Sequence, residues 1–286
     1  MNEPLPFASS RTSRLASLDV LRGLVILLMA VDHVRAFWGG NLGEPVNLSD
    51  PKNNLTFGLV RWSTHFCAPT FVLLAGMGGW LWGRSKTPAA RAWHLFDRGL
   101  WLLLLELTLV KTGWSLQIDF SFFVIQVIGA IGLSMMMLAP LALAPSWAAL
   151  AVGVAVMALH NLADGPPKPG PGLGPTFWRL LHEQGTLIAY QNPDSRPNVF
   201  IAYPILPWFG IMCFGYGLAP VITLCEGARR RLLLLLGFGL STLFLLFRMA
   251  GLPGDSNQFV AHSGEPVRTL LQFLNCTKYP PSLHFA

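Results

Sequence analysis

Ser17-Leu18-Asp19-Val20-Leu21-Arg22-Gly23-Leu24-Val25-Ile26-Leu27-Leu28-Met29-Ala30-Val31-Asp32-His33-Val34-Arg35 is apolar enough to enter a bilayer, yet it is charged at both ends. Asp19 and Arg22 stand at one end, and Asp32, His33 and Arg35 at the other. Ionisable groups at membrane depth are costly, so each needs a partner or a water-filled cavity. Arg22 and His33 lie close to three helical turns apart, which places them on nearly one face about 16 Å from each other. Two readings fit this pattern. The helix lines a polar cavity, or Asp19 and Arg22 anchor one end in the headgroups while His33 sits at the opposite interface.

The rest of the chain shares this character. Of its 286 residues, 52% are hydrophobic and 12% charged, half the charge of an ordinary soluble domain, so it reads as a membrane protein and excludes a water-soluble one. Ten Trp suit interfacial belts and 28 Gly suit close helix packing in lipid. The net charge of +6 is gathered beside apolar segments, which is an orientation signal, and no nucleic-acid footprint is read from it. Cys67, Cys213, Cys225 and Cys276 lack metal-ligand spacing and imply no disulfide framework. No metal is expected.

Seven apolar segments follow, at about 15–38, 58–83, 97–112, 117–140, 142–162, 198–222 and 232–250. Each is near the ~20 residues needed to cross the hydrocarbon core, the third being the shortest. Residues 1–14 read as a cytoplasmic tail, 163–197 as an external loop with an amphipathic patch at Phe177–Leu181, and 251–286 as an external tail without a further span. Arg84, Lys86, Arg91 and Arg98, and then Arg229, Arg230 and Arg231, fall on the cytoplasmic side when the N-terminus is inside. The expectation is an all-α polytopic bundle of about seven spans, N-terminus cytoplasmic, forming a single domain in the inner membrane of the cell.

This topology gathers polar side chains in the outer leaflet: Asp32, His33, Arg61, His65, Glu106, Asp119, Gln126, His160, Asn161, Tyr203, Trp208 and Arg248. An outward-facing polar cavity and a set of separate interfacial anchors both account for it. Imidazoles beside carboxylates suit proton transfer near neutral pH, which points to His33, His65, Asp32 and Glu106. On the inner side Arg14, Arg22, Arg84, Arg91 and Arg98 could grip a phosphorylated molecule or simply set topology, the second being the favoured reading for Arg84 and Arg91, whereas Arg22 sits a turn inside the span.

Ser17 to Met29, Asp32-His33-Val34-Arg35, Arg61-Trp62 through Phe71, Leu74-Ala75-Gly76, Leu105-Glu106-Leu107-Thr108, His160 to Asp164, Tyr203 to Trp208 and Lys278 to Leu283 together carry a resemblance. The chain resembles the heparan-α-glucosaminide N-acetyltransferase family, and within it a bacterial membrane branch. The resemblance implies acyl transfer from cytosolic acetyl-CoA to an amine or hydroxyl of an extracytoplasmic sugar or glycan. The donor would then enter near Arg22, with Asp19 and Arg98 beside it. The acceptor would enter near His33 and His65, with Arg61, His160, Tyr203, Trp208 and Arg248 as its contacts. One histidine takes the acceptor's proton or carries the acyl group, and Asp32 or Glu106 orients it. The resemblance also implies spans beyond Leu283, so a C-terminally shortened member is expected. The bilayer and a second copy of the chain are the expected partners. A transporter with the same outward cavity, or a truncated chain without activity, remains the alternative reading.

Overall fold

The computed structural model describes residues 16–38, 55–116, 118, 121–163, 173–187, 198–251, 255, 258–278 and 281–285. Helix dominates. α1 (Ala16–Trp38) is the charged-ended opening run. α2 (Leu55–His65) and α3 (Cys67–Gly83) form one apolar rod with a break at Phe66. Pro69 explains the break, because it has no N–H to return to the carbonyl of His65 four residues earlier. α4 (Pro88–Leu105) starts at Thr87, whose Oγ1 accepts from the Ala90 N–H at 3.2 Å, with proline in the first turn. It runs on through a π-helical turn at Glu106–Val110 into α5 (Lys111–Ser115) and ends at Leu116, in the left-handed region at φ 52°. This third segment is therefore longer than 97–112. Part of what reads as a basic connection is helix.

β1 (Phe122–Ile125) then precedes α6 (Val127–Leu141) and α7 (Ser146–Leu159), which closes in a 3₁₀ turn at His160–Ala163. α8 (Leu173–His182) coincides with the amphipathic patch in the long loop. After β2 (Gly185–Leu187) and β3 (Asn198–Ile201) come α9 (Ile205–Leu218), a 3₁₀ turn at Ala219–Thr223, α10 (Glu226–Met249) and α11 (Pro266–Leu274).

Three short strands add to an otherwise helical structure. β1 and β3 pair in parallel, with Phe122 opposite Asn198, and β2 pairs antiparallel to β3, with Gly185 opposite Ile201. The sequence had these residues opening segments four and six. Phe122-Phe123-Val124-Ile125 and Val199-Phe200-Ile201 are aromatic and β-branched, and Pro204 keeps the chain extended ahead of α9. The helices that follow are correspondingly shorter.

α9 is the centre of the bundle, packed by α3, α6 and α7. Trp208, Met212 and Tyr216, spaced four apart on one helical face, are completely buried. Where α3 crosses α9, a Cβ at Gly76 would strike the carbonyl of Met212, and one at Gly215 the carbonyl of Leu73. Glycine at both positions lets the two backbones touch, the usual way apolar helices gain contact in lipid. Leu55–Gly83, Ile205–Thr223 and Glu226–Met249 are long and apolar enough to cross a membrane, while Val127–Leu141 and Ser146–Leu162 are shorter apolar helices. α10 is exposed on nearly all sides and leucine-rich, as suits a lipid-facing helix.

Leu18 of α1 packs with Leu74 and Met77 of α3 and with Ala219 and Ile222 after α9. The start of α1 and the ends of α3 and α9 thus share one end of the bundle. The end of α1, with Asp32, meets α2 at the other.

Candidate functional site

At the Asp32 end the central contact joins α1 to α2. Arg61 Nη1 donates to both oxygens of Asp32, at 3.1 and 3.0 Å. Arg35, one turn along α1, donates to Oδ1 through Nε at 3.1 Å and Nη2 at 2.9 Å. Arg61 and Asp32 are mostly enclosed, their side chains keeping 14% and 21% of their exposure, so the pair works in reduced dielectric. Thr64 Oγ1 accepts from Arg61 at 3.4 Å and donates to the Arg61 carbonyl at 2.8 Å, which holds the guanidinium over the end of α2.

The polypeptide after α10 completes this end. Arg248, 2% exposed, donates to the carbonyls of Gln272 (2.8 Å) and Phe273 (3.0 Å) in the last turn of α11 and of Asn275 (2.9 Å) just after it, and sits 3.9 Å from the Asp255 carboxylate. Asp255 accepts from the Thr277 N–H and hydroxyl and from Ser282 Oγ. α11 lies on α2, with Leu271 filling the space over Gly58. The chain then reaches His160, whose Nε2 is 2.6 Å from the Pro281 carbonyl, and Asn161, whose Oδ1 accepts from the Leu283 N–H at 2.8 Å. Phe285 ends against His65 and Trp208, with ring centroids 5.7 and 6.4 Å away. Tyr203 lies 5.1 Å from Trp208, whose indole Nε1 is buried with no partner among the described residues.

The structure therefore joins Asp32 directly to Arg61, and brings His65, His160 and Trp208 together through the tail. The other selected residues stand elsewhere. His33 is exposed, with Nδ1 at 2.9 Å from the Met29 carbonyl and its ring against Trp114. Glu106, 1% exposed, turns inward at the π-turn and accepts from the N–H groups of Gln126 (2.8 Å) and Gly129 (3.2 Å). Its carboxylate caps α6, where the helix dipole favours a negative charge. Asp119 lies outside the described residues.

At the opposite end Arg22 pairs with Asp19 at 3.2 Å, both well exposed, and its guanidinium reaches Gly78 of α3. Arg98 is exposed on α4. Arg91, read from the sequence with Arg84 as a topology signal, packs against Gly83 and next to Tyr216, its Nε buried without a partner among the described residues. Trp82 stacks on His94 at 3.5 Å, with Lys86 over its ring. Cationic and aromatic side chains thus meet on the surface near Arg22, a chemistry that fits a nucleotide-bearing donor.

The residues missed at the sequence level are Lys278, Asp255 and Phe285. Lys278 lies within electrostatic reach of Asp32, Arg61, Arg35 and Cys67, and burial together with Arg61 lowers its amine from 10.5 to about 8. Lys278 opens the stretch to Leu283 quoted above for the resemblance, and that was the available signal. Among the described residues no three His, Cys, Asp or Glu side chains converge as a metal site would require. A cavity of about 440 Å³ bordered by Phe259, His262, Glu265 and Phe273 contains none of the residues selected above.

No curated protein and no solved structure matches the chain. One family model does: heparan-alpha-glucosaminide N-acetyltransferase, catalytic, over residues 14–243. The match takes in α1 to most of α10, including both ends of the bundle, and stops short of Arg248 and the tail. On this match the chain belongs to the heparan-α-glucosaminide N-acetyltransferase family.

Proposed function

We propose that the protein is a multi-pass acetyltransferase of the inner membrane, N-terminus inside, that passes an acetyl group from cytosolic acetyl-CoA to an amine or hydroxyl of an extracytoplasmic sugar. The observation that carries this reading is the two-ended distribution of polar groups along α1, in a chain of this family. Arg22 and Asp32 are about 15 Å apart along the helix, a span that a pantetheine arm can bridge.

At the inner end Arg22, with Arg91 and Arg98, holds the donor's phosphates, and Asp19 positions Arg22. At the outer end His65 is the better placed histidine to take the acceptor's proton or carry the acetyl group, because it stands beside the Asp32–Arg61 pair and under Phe285. His33 guards the exposed side of α1 near Trp114. Tyr203, half-buried beside the fully buried Trp208, offers aromatic surface to a sugar, and His160 fixes the tail near them. Arg248 contributes by pinning that tail, and Glu106 by fixing α6.

Acetyl-CoA binding to detergent-purified protein tests this reading. Saturable binding, lost in Arg22→Ala, is the expected result. Absence of binding by the wild type would overturn it.

A further inference from the structure

The last described residues lie against the histidine singled out above. Phe285 rests on His65, with ring centroids 5.7 Å apart, and meets Trp208 edge-on at 6.4 Å. The strap around it, 281–285, belongs to no helix or strand. An isolated bridge joins Pro281 to Lys278, and a single turn returns the Phe285 N–H to the Ser282 carbonyl at 3.0 Å. Its hold on the bundle is a handful of polar contacts. The turn at His160–Ala163 supplies His160 to the Pro281 carbonyl (2.6 Å) and Asn161 to the Leu283 N–H (2.8 Å), and Ser282 Oγ donates to Asp255 at 2.8 Å. This docked arrangement leaves polar atoms unserved. Both ring nitrogens of His284 and the indole Nε1 of Trp208 are buried without a hydrogen-bond partner among the described residues. His160 has a carbonyl at each ring nitrogen, Val156 at 2.9 Å and Pro281 at 2.6 Å, and a neutral imidazole carries one N–H for the two. Buried polar groups are normally satisfied, so a segment that buries several unsatisfied ones is held shut at a cost.

We propose that 281–285 is a lid, closed in this structure, which swings off His65 and Trp208 to admit the acceptor, with the turn at His160–Ala163 as its catch. The role toward an acceptor rests on the acetyl-transfer reading above; the opening does not. A sugar in place of Phe285 exchanges the phenyl for an apolar ring face and brings the hydroxyl oxygen that the Trp208 N–H lacks. Opening also returns the His284 ring to water and relieves His160 of its second carbonyl. Arg248 and Asp255 set the hinge, because they fix the chain just before the lid through the carbonyl of Asn275 and the N–H and hydroxyl of Thr277. A lid that is mostly closed weakens the apparent affinity for the acceptor by the fraction that is open.

The test reads access to position 65 in the full chain. The reporter is His65→Cys in a Cys225→Ser background, in detergent, labelled with a charged maleimide; Cys67, Cys213 and Cys276 are buried. Labelling is expected to be slow, and faster by about tenfold or more when Phe285→Ala or Asn161→Ala is added, with thermal unfolding of the bundle unchanged. Labelling that is fast with the strap unaltered, or slow and indifferent to both variants, would overturn the lid. Hydrogen exchange on the unsubstituted chain asks the same question without a substitution. The Leu283 and Phe285 amides are expected to exchange at least about a hundredfold faster than those of Met212 and Tyr216 in α9, and exchange no faster than α9 would overturn the lid. In transfer by the chain with His65 in place, Phe285→Ala is expected to lower the KM for the acceptor by about threefold or more, with acetyl-CoA binding unchanged. Fast strap exchange and variant-dependent labelling without acetyl transfer would keep the lid and overturn the transfer reading. Acetyl transfer with both KM and labelling indifferent to Phe285→Ala would keep that reading and overturn the lid.

Discussion

Arg61 and Asp32, 29 residues apart in the sequence, meet through Nη1 at 3.0 Å from Oδ2 and so lock α2 to the C-terminal end of α1. Asp32 serves Arg35 as well, so its removal strands two guanidinium groups. Asp32→Asn is expected to lower stability by roughly 2–3 kcal/mol, less than for a fully buried pair because these side chains keep some solvent contact. A double-mutant cycle with Arg61→Gln, read by thermal unfolding in detergent, should return much of the loss. A double mutant whose losses simply add would show that the contact carries no coupling.

The strap depends on Arg248. Arg248→Gln removes most of its hydrogen bonds to the carbonyls at the end of α11 and its contact with Asp255. Hydrogen exchange over residues 258–285 should accelerate at least tenfold, while α3 and α9 keep their protection. Unchanged exchange in the tail would contradict the pinning role.

Glu106 separates a structural from a chemical role. Glu106→Gln keeps one carbonyl oxygen to cap α6 and turns an NH₂ towards the second N–H. The expected cost is about 1–2 kcal/mol of stability, with transfer kept within about threefold of wild type. A loss of transfer of a hundredfold with stability unchanged would give this carboxylate a direct part in the reaction.

The two histidines are expected to differ. His65→Ala should lower transfer by about 10² or more, the usual range for a proton-transfer group, and His33→Ala by far less. Parallel measurement of transfer and of thermal unfolding decides this, and the opposite ranking would move the site towards Trp114.

Lys278 gives a pH signature. Its amine titrates near about 8 in the folded chain and near 10.5 in the unfolded one. Between these values the unfolded chain binds the extra proton, so stability rises with pH across that window. Below it both states are protonated and the cost is constant, up to about 3 kcal/mol. Lys278→Met should therefore stabilise the protein at pH 7 and lose that advantage by about pH 10. A stabilisation independent of pH would contradict it.

Much of this architecture is legible in the sequence because apolar runs and the charges that interrupt them are local features. α1, the α2–α3 rod, α7 and α10 follow directly from such runs, and the amphipathic α8 from a short patch. The strands are not, since four aromatic and β-branched residues leading into an apolar helix carry no period of their own until β3 pairs with β1. The start of α4 is hidden by its basic residues, although Thr87-Pro88 marks it. Arg61 and Asp32 are recognisable as candidates, but not as partners, because nothing in a sequence places residues 29 apart in contact. The tail is the largest omission. Its hold on Arg248, His160 and Asn161 depends on backbone carbonyls and N–H groups, which no residue pattern announces.

The most direct test of the whole account is sided transfer in proteoliposomes, with radiolabelled acetyl-CoA on the face of Arg22 and an amino sugar on the face of His65. The account predicts labelled product only in the acceptor compartment, abolished by Arg22→Ala and by His65→Ala. Label that stays with the donor, or that reaches sugar only when both substrates share one compartment, would contradict transfer through the bundle.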